Sequence, residues 1–175
     1  MNITPLFINT LSTLGHCGAF GLAAVELPEV QTNSVVFTAD LTSYSGLERF
    51  KKKYPDRLYN AGIAEQNMLC MAAGMAKEGF TPFVTSYATF ASARACDQVR
   101  VCMGDMRLGI KLVGLGAGLC ISLLGSTHVS IEDIAILRAI PNITIFSPAD
   151  GLETVKAVLS AATIPGPVYL RLAGP

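Results

Sequence analysis

Short uninterrupted runs of apolar and β-branched residues alternate along the chain with longer segments of helical composition. The runs predict buried strands at residues 34–39, 58–60, 81–85, 110–115, 143–146 and 168–171. Strands separated by helical segments form crossover units, and such units build a parallel sheet. The pattern therefore predicts an α/β fold: a doubly wound, mainly parallel sheet with helices on both faces.

The helical segments are bounded by capping and breaking residues. They are predicted at residues 9–27, 47–53, 65–79 and 87–103, from 131 onward, and at 150–162. The first ends before Pro28, because proline interrupts a helix. Ser130, with Asp133 three residues later, predicts an N-cap, and Asp150 with Glu153 predicts another.

The segment from Asn60 to Gly79 joins a polar beginning to an apolar helix. Glu65 lies in the first turn of that helix, where the helix dipole stabilises a carboxylate, so a purely structural role is one interpretation. The other is chemical, because Gly62 permits close backbone approach and a carboxyl group at this position can share or donate a proton.

Composition narrows the classes of partner. Thirteen basic and thirteen acidic residues cancel, which argues against a nucleic acid or an anionic membrane. Hydrophobic residues make up 51% and charged residues 15%, as expected for a domain that covers much of its surface with partners. The uncharged stretches 2–25 and 112–131 are broken by polar residues and glycines, so neither predicts a membrane span.

Five cysteines are scattered without a Cys-x-x-Cys pair or metal-ligand spacing. This pattern predicts reduced thiols, no metal site in this chain and a cytoplasmic location.

The sequence Asn-Ala-Gly-Ile-Ala-Glu-Gln-Asn-Met at residues 60–68 resembles the signature of the pyrimidine-binding domain of transketolase-like thiamine diphosphate enzymes. The resemblance runs from about Ala19 to the last residue and is greatest to the C-terminal half of split transketolases. It implies that Glu65 binds and activates the cofactor's aminopyrimidine ring as a catalytic residue.

Further site residues follow from the same resemblance. Phe90 matches the aromatic residue that stacks on the aminopyrimidine, with Tyr87 as the second candidate, while Asp40 matches a residue near the cofactor and the subunit contact. His128, in Gly-Ser-Thr-His, matches a catalytic histidine that contacts the donor substrate, and Arg171 matches a position that can meet an anionic substrate. Each has a structural alternative: core packing for the aromatic residues, and a cap, polar contact or salt bridge for the others. Arg94, Asp97, Gln98 and Arg100 also continue the family pattern and are expected to be structural or interface groups.

Departures from the family cluster at the substrate end. Gly116 replaces a histidine of pentose-phosphate transketolases, and Leu123-Leu124 replace an acidic pair. The family arginine that helps to hold a sugar phosphate falls near Cys17 in this sequence, and a serine of the same family site falls at Tyr44. The substrates therefore differ from the usual sugar phosphates, or the site has decayed.

The resemblance also implies that half of the cofactor site is absent from this chain. The Gly-Asp-Gly motif and later asparagine that hold Mg²⁺ and the diphosphate in this family are not matched by Gly104-Asp105-Met106. We expect one pyrimidine-binding domain at residues 1–175, with the diphosphate-binding and C-terminal domains absent from this chain. Mg²⁺ would bind through the diphosphate-binding domain of a partner.

Two functions stay open. The first is the pyrimidine-binding subunit, or a fragment of it, of a transketolase-like transferase that moves a two-carbon ketol or related unit and is inactive without its partner. The alternative is a non-catalytic interaction module that pairs with a diphosphate-binding chain. Either predicts a homo- or hetero-oligomer.

Overall fold

The sheet of this domain has six parallel strands. The computed structural model describes residues 4–174; positions 1–3 and 175 of the expected domain lie outside the described residues. The strands are β1 (Ser34–Thr38), β2 (Leu58–Asn60), β3 (Thr81–Tyr87), β4 (Lys111–Leu115), β5 (Thr144–Phe146) and β6 (Val168–Arg171). Their order is β2-β1-β3-β4-β6-β5, with every neighbouring pair parallel. The predicted doubly wound sheet is confirmed.

Helices connect these strands on both faces. They are α1 (Pro5–Val30), α2 (Glu48–Lys53), α3 (Glu65–Lys77), α4 (Cys96–Gln98), α5 (Asp133–Arg138) and α6 (Gly151–Thr163), with 3₁₀ turns at Pro55–Arg57 and Ser122–Leu124. Wide π-helical turns at Phe90–Arg94 and Val99–Asp105 flank α4, so residues 88–105 form one helical segment with a turn at Ala95.

Two apolar cores enclose the sheet. Residues of α1, α2 and α6 pack on one face, around Phe20, Phe83 and Leu170. Residues of α3 and the helical segment 88–105 pack on the other face, around Met68, Val84 and Met103. All five residues of β1 and all five of β4 are buried, which explains why the centres of these strands are apolar on both faces.

Several predicted boundaries need correction. Ser130 is not an N-cap: its backbone forms an antiparallel bridge with Gly118, and α5 begins three residues later. Tyr87 ends β3 rather than opening a helix. Pro28 does not end α1, because the Gln31 N–H bonds to the Leu27 carbonyl and closes the final turn around the proline.

No helix in the described range 4–174 has the length and apolar character needed to cross a membrane.

Candidate active site

A pocket of about 310 Å³ opens at the carboxyl ends of β1 and β3, where parallel α/β sheets place their ligands. It is lined by residues from four segments that are distant in sequence: Ala39, Asp40, Leu41, Ile63, Glu65, Ser86, Tyr87, Phe90, Arg94 and His128. Five of the six predicted site residues therefore meet in one pocket, and Arg171 does not line it.

Glu65 is the first residue of α3, and its side chain is only 3% exposed. Its two carboxylate oxygens have different donors. Ser86 Oγ, buried at the end of β3, donates to Oε1 at 2.9 Å, and Arg94 Nη1 donates to Oε2 at 3.0 Å. A buried carboxylate needs such partners, because an unpaired charge inside a protein is strongly unfavourable.

Three rings form one wall of the pocket. The His128 ring lies edge-on to both aromatic residues, with centroid distances of 5.1 Å to Phe90 and 5.5 Å to Tyr87. Tyr87 and Phe90 are 5.9 Å apart, also edge-on. Edge-to-face contacts at such distances are favourable, and they orient His128 towards the pocket from its loop. The His128 Nδ1 atom is 3.0 Å from Thr127 Oγ1.

Arg94, for which a structural or interface role is expected, also lines this pocket. Its guanidinium carbon lies 3.7 Å from the centroid of the Phe90 ring. A π-helical turn brings the two side chains together, and the Ala95 N–H bonds to the Phe90 carbonyl five residues back. Such turns are frequent at functional sites. The other exposed pair of this segment, Arg100 and Asp97, bond to each other at 2.8 Å outside the pocket.

Asp40 and Asn60 join the loops that follow β1 and β2. Asn60 Oδ1 accepts from the backbone N–H groups of Asp40 and Gly62, and Asn60 Nδ2 donates to Asp40 Oδ1. Asp40 has a φ of 60°, in the left-handed region that aspartate tolerates better than most residues. These bonds fix the backbone that leads into Glu65.

Arg171 takes part in a separate buried network. Its Nε donates to Asp133 Oδ2 at 2.9 Å, and the Tyr169 hydroxyl donates to the same oxygen at 2.8 Å. Burial, together with the neighbouring Asp133 charge, raises the pKa of Tyr169 well above its usual value. The structural alternative, a salt bridge, is present, and contact of Arg171 with an anionic substrate stays a prediction.

Three of the residues that differ from the family pattern, Gly116, Cys17 and Tyr44, lie in packed surroundings. A Cβ atom on Gly116 would lie 2.9 Å from Ile121 Cδ1, so the space of the family histidine is filled. Cys17 is buried, which raises the pKa of its thiol to about 12. The Tyr44 hydroxyl is buried and has no hydrogen-bond partner among residues 4–174, and burial raises its pKa to about 12. Leu123 and Leu124 are exposed.

The pocket offers a carboxylate, a hydroxyl donor and an aromatic face within one narrow space. That combination suits a flat heterocycle whose edge carries nitrogen donors and acceptors. Among residues 4–174, no group of three or more histidine, cysteine, aspartate or glutamate side chains is placed to hold a metal ion.

Sequence reasoning missed two partners of Glu65, Ser86 and Arg94. The available signal for Ser86 was weak: it lies one residue beyond the predicted end of β3, at the edge where ligands gather. Arg94 continues the family pattern, but the wide turn that directs it towards Glu65 has no signature in apolar periodicity.

Comparison with known proteins adds independent information. Residues 15–173 match the family model described as the pyrimidine-binding domain of transketolase. The chain is 40% identical over 153 residues to a protein of Methanocaldococcus jannaschii named as a transketolase C-terminal section, covering 87% of this chain and 48% of that protein. It is 38% identical over 148 residues to a 6-deoxy-6-sulfo-D-fructose transketolase subunit of Clostridium sp. (strain MSTE9), covering 85% of this chain and 46% of the subunit.

Among solved structures, the chain is similar to a split-gene transketolase described as an inactive beta4 tetramer. The TM-score is 0.79 at 39% identity, over 90% of this chain and 50% of that one. The chain thus spans about half the length of these relatives.

Proposed function

The chain belongs to the family of transketolase pyrimidine-binding domains, and from that premise we propose that it is the pyrimidine-binding part of a transketolase-like transferase. The enzyme would move a two-carbon ketol or related unit between small molecules. The observation that carries this proposal is that the buried Glu65 carboxylate and the Phe90 ring line one pocket.

Thiamine diphosphate fits the residues present. Phe90 offers a face for its aminopyrimidine ring, Glu65 offers a carboxyl group to a ring nitrogen, and Asp40 and Tyr87 line the same pocket. When bound, the cofactor would supply a carbon nucleophile that the twenty amino acids lack. The protein's own contribution is to orient the ring, to exclude water and to hold a proton at the Glu65 carboxyl group.

The position of His128 supports a role with the substrate. Its imidazole lies against Tyr87 and Phe90, on the same pocket as Glu65 but from a different loop. A histidine beside a reacting carbonyl can donate a hydrogen bond or transfer a proton near neutral pH. We assign it substrate positioning and proton transfer, separate from the activation that Glu65 provides.

The substrates would differ from common sugar phosphates. Ile121 fills the space at Gly116, and apolar Leu123 and Leu124 occupy the exposed loop. Relatives are named for 6-deoxy-6-sulfo-D-fructose and for apulose-4-phosphate, so the sugar and its anionic group differ among similar proteins. We propose a small, carbonyl-containing substrate whose polar end is not bound in the usual phosphate site.

The diphosphate and Mg²⁺ would bind to a partner domain, either a separate chain or another part of a longer protein. Among residues 4–174, no acidic cluster is placed for the metal, as noted above. Large apolar side chains are exposed in the loops after β2 and β4, which also supply Glu65 and His128 to the pocket: Ile63, Leu119, Leu123, Leu124 and Ile131. Exposed apolar groups of this kind mark surfaces that partners cover. Five free cysteines suit the reducing cytoplasm.

Reconstitution tests the proposal. The chain would be mixed with a separately produced diphosphate-binding domain of a transketolase, with thiamine diphosphate and Mg²⁺, and ketol transfer measured. We expect turnover only when both chains are present, and no micromolar, Mg²⁺-dependent cofactor binding by this chain alone in calorimetry. A stable complex that binds the cofactor but transfers nothing from a panel of ketoses would favour the interaction module.

A further inference from the structure

The Arg94 guanidinium lies where a flat ring bound by Phe90 and Glu65 would have to lie. Its carbon is 3.7 Å from the Phe90 centroid, which is a stacking distance. Its Nη1 donates to Glu65 Oε2 at 3.0 Å. The planar guanidinium therefore covers a face of the Phe90 ring and bonds one Glu65 carboxylate oxygen at the same time.

A guanidinium and an aminopyrimidine share the features that this slot recognises. Both are flat, both carry N–H donors along an edge, and both stack on aromatic rings. Two such groups cannot stack on the same face of Phe90 while bonding the same oxygen of Glu65. We propose that Arg94 is a placeholder, which fills the ring's site in the free chain and swings out when an aminopyrimidine enters. This inference rests on the proposed function.

The surroundings of Arg94 allow the side chain to move while its backbone stays. The side chain is 44% exposed, so solvent lies beside it. The backbone carbonyl of Arg94 accepts a hydrogen bond from Gln66 Nε2 at 3.2 Å, and the residue is part of the π-helical turn Phe90–Arg94, so its backbone is held in place. Ser86 keeps its bond to the other Glu65 oxygen during the exchange. The exchange therefore needs only a side-chain rotation, a fast motion for an exposed residue.

A placeholder has two consequences for the free chain. The buried Glu65 carboxylate keeps a second donor before the ring arrives, which avoids the large penalty of a buried group with an unmet oxygen. The ring must compete with Arg94, so its apparent affinity falls by the fraction of molecules in which the slot is filled.

Binding of 4-amino-2,5-dimethylpyrimidine to the isolated chain, followed by NMR titration, tests this directly. Arg94→Ala should bind the ring at least tenfold more tightly than the wild type. Arg100→Ala, on the same helical segment but outside the pocket, should bind like the wild type. In the wild-type chain, the side-chain Nε–H signal of Arg94 should move towards the position of a free arginine as the ring is added.

The outcomes separate this inference from the function beneath it. If Arg94→Ala binds no better than the wild type while Glu65→Gln abolishes binding, the ring site stands and the placeholder is wrong. If neither the wild type nor Arg94→Ala binds the ring, and Glu65→Gln changes nothing, both the placeholder and the assigned ring site are wrong. If Arg94→Ala binds the ring more tightly, and this gain in affinity disappears in the Arg94→Ala, Glu65→Gln double variant, both the placeholder and the ring site are supported.

Discussion

Two donors from different elements hold the carboxylate of Glu65, and a ring stands beside it. Ser86 comes from the end of β3 and Arg94 from a π-helical turn, while Phe90 supplies the aromatic face. A carboxyl group fixed in this way is pre-organised, because its orientation does not have to be set during a reaction. At the residue scale, the site is a single acid with a defined neighbour on each oxygen.

Replacing Glu65 with glutamine should remove the activation of the cofactor and keep the fold. The amide is almost the same size, so little packing is lost, but it cannot donate or accept a full proton. We expect turnover of the reconstituted enzyme to fall at least a hundredfold, about 3 kcal/mol in barrier. Exchange of the thiazolium C2 proton, followed by quenched-flow NMR, measures the step directly.

His128→Ala is the matched comparison for that experiment. It lines the same pocket, but the hydrogen bonds to Glu65 come from Ser86 and Arg94, so C2-proton exchange should stay near the wild-type rate while substrate turnover falls. Exchange at the wild-type rate in Glu65→Gln would reduce Glu65 to a carboxylate that only stabilises the start of α3.

The helices differ sharply in how closely they approach their neighbours, and glycines mark the difference. A Cβ atom on Gly21 of α1 would lie 2.2 Å from the Gly46 carbonyl oxygen, so the helix touches the loop backbone there. A Cβ atom on Gly74 of α3 would meet nothing within 4 Å. At the scale of elements, one helix is fixed by close backbone contact, while the other has free space around its glycine.

These two glycines give opposite predictions. Gly21→Ala should lower the free energy of unfolding by about 1–3 kcal/mol or more, because the added methyl group forces α1 away from the loop. Gly74→Ala should raise it by about 0.5–1 kcal/mol, because alanine favours the helix and has space. Urea unfolding of both variants, monitored by circular dichroism, checks the signs. Equal destabilisation by both would contradict this account of α1.

Lys111 connects β4 to the end of α6. The side chain is 1% exposed, and its Nζ donates to the carbonyls of Ile164 and Gly166, just beyond the helix. Burial lowers the pKa of Lys111 from 10.5 to about 8. The charged form is therefore less favourable in the folded chain than in the unfolded one.

This lowered pKa predicts a rise of stability with pH. Between about pH 8 and 10.5 the unfolded chain binds more protons at Lys111 than the folded chain, so the free energy of unfolding should increase as pH rises, by up to about 3 kcal/mol. Lys111→Met should lack this contribution. Urea midpoints of both proteins at pH 7.5 and pH 10 give the difference, and parallel pH profiles would show that burial does not perturb this lysine.

At the scale of the whole molecule, the fold presents an open pocket and exposed apolar side chains. The pocket is open at the carboxyl ends of β1 and β3, and the apolar residues noted above lie in the two loops that also supply Glu65 and His128. The similar split-gene transketolase is described as a tetramer that is inactive. Self-association in the absence of a partner is the expected behaviour of such a surface.

We therefore expect the isolated chain to form dimers or larger oligomers at micromolar concentration. Replacing Leu123 and Ile131, which are 98% and 73% exposed, with serine should weaken association because apolar area is removed. Replacing Leu6, which is 76% exposed on α1 and lies in a different segment, should have little effect. Light scattering gives the masses, and a strictly monomeric wild-type chain would contradict the prediction.

The sequence by itself determined the class of fold and the centre of the site. Runs of apolar and β-branched residues identified all six strands, since the four inner strands are covered on both faces and are mostly apolar, while the edge strands β2 and β5 are partly exposed. The segment around Glu65 identified the family. Only the tertiary structure determined the partners of Glu65, which lie 21 and 29 positions away at Ser86 and Arg94. Periodicity reports how each segment faces the core, whereas contacts between distant segments depend on loop paths and on turns such as the π-helical one at Phe90–Arg94. The same reason explains Ser130, whose pairing with Gly118 overrode a local capping pattern, and Lys111, whose burial depends on the end of a helix more than fifty residues later.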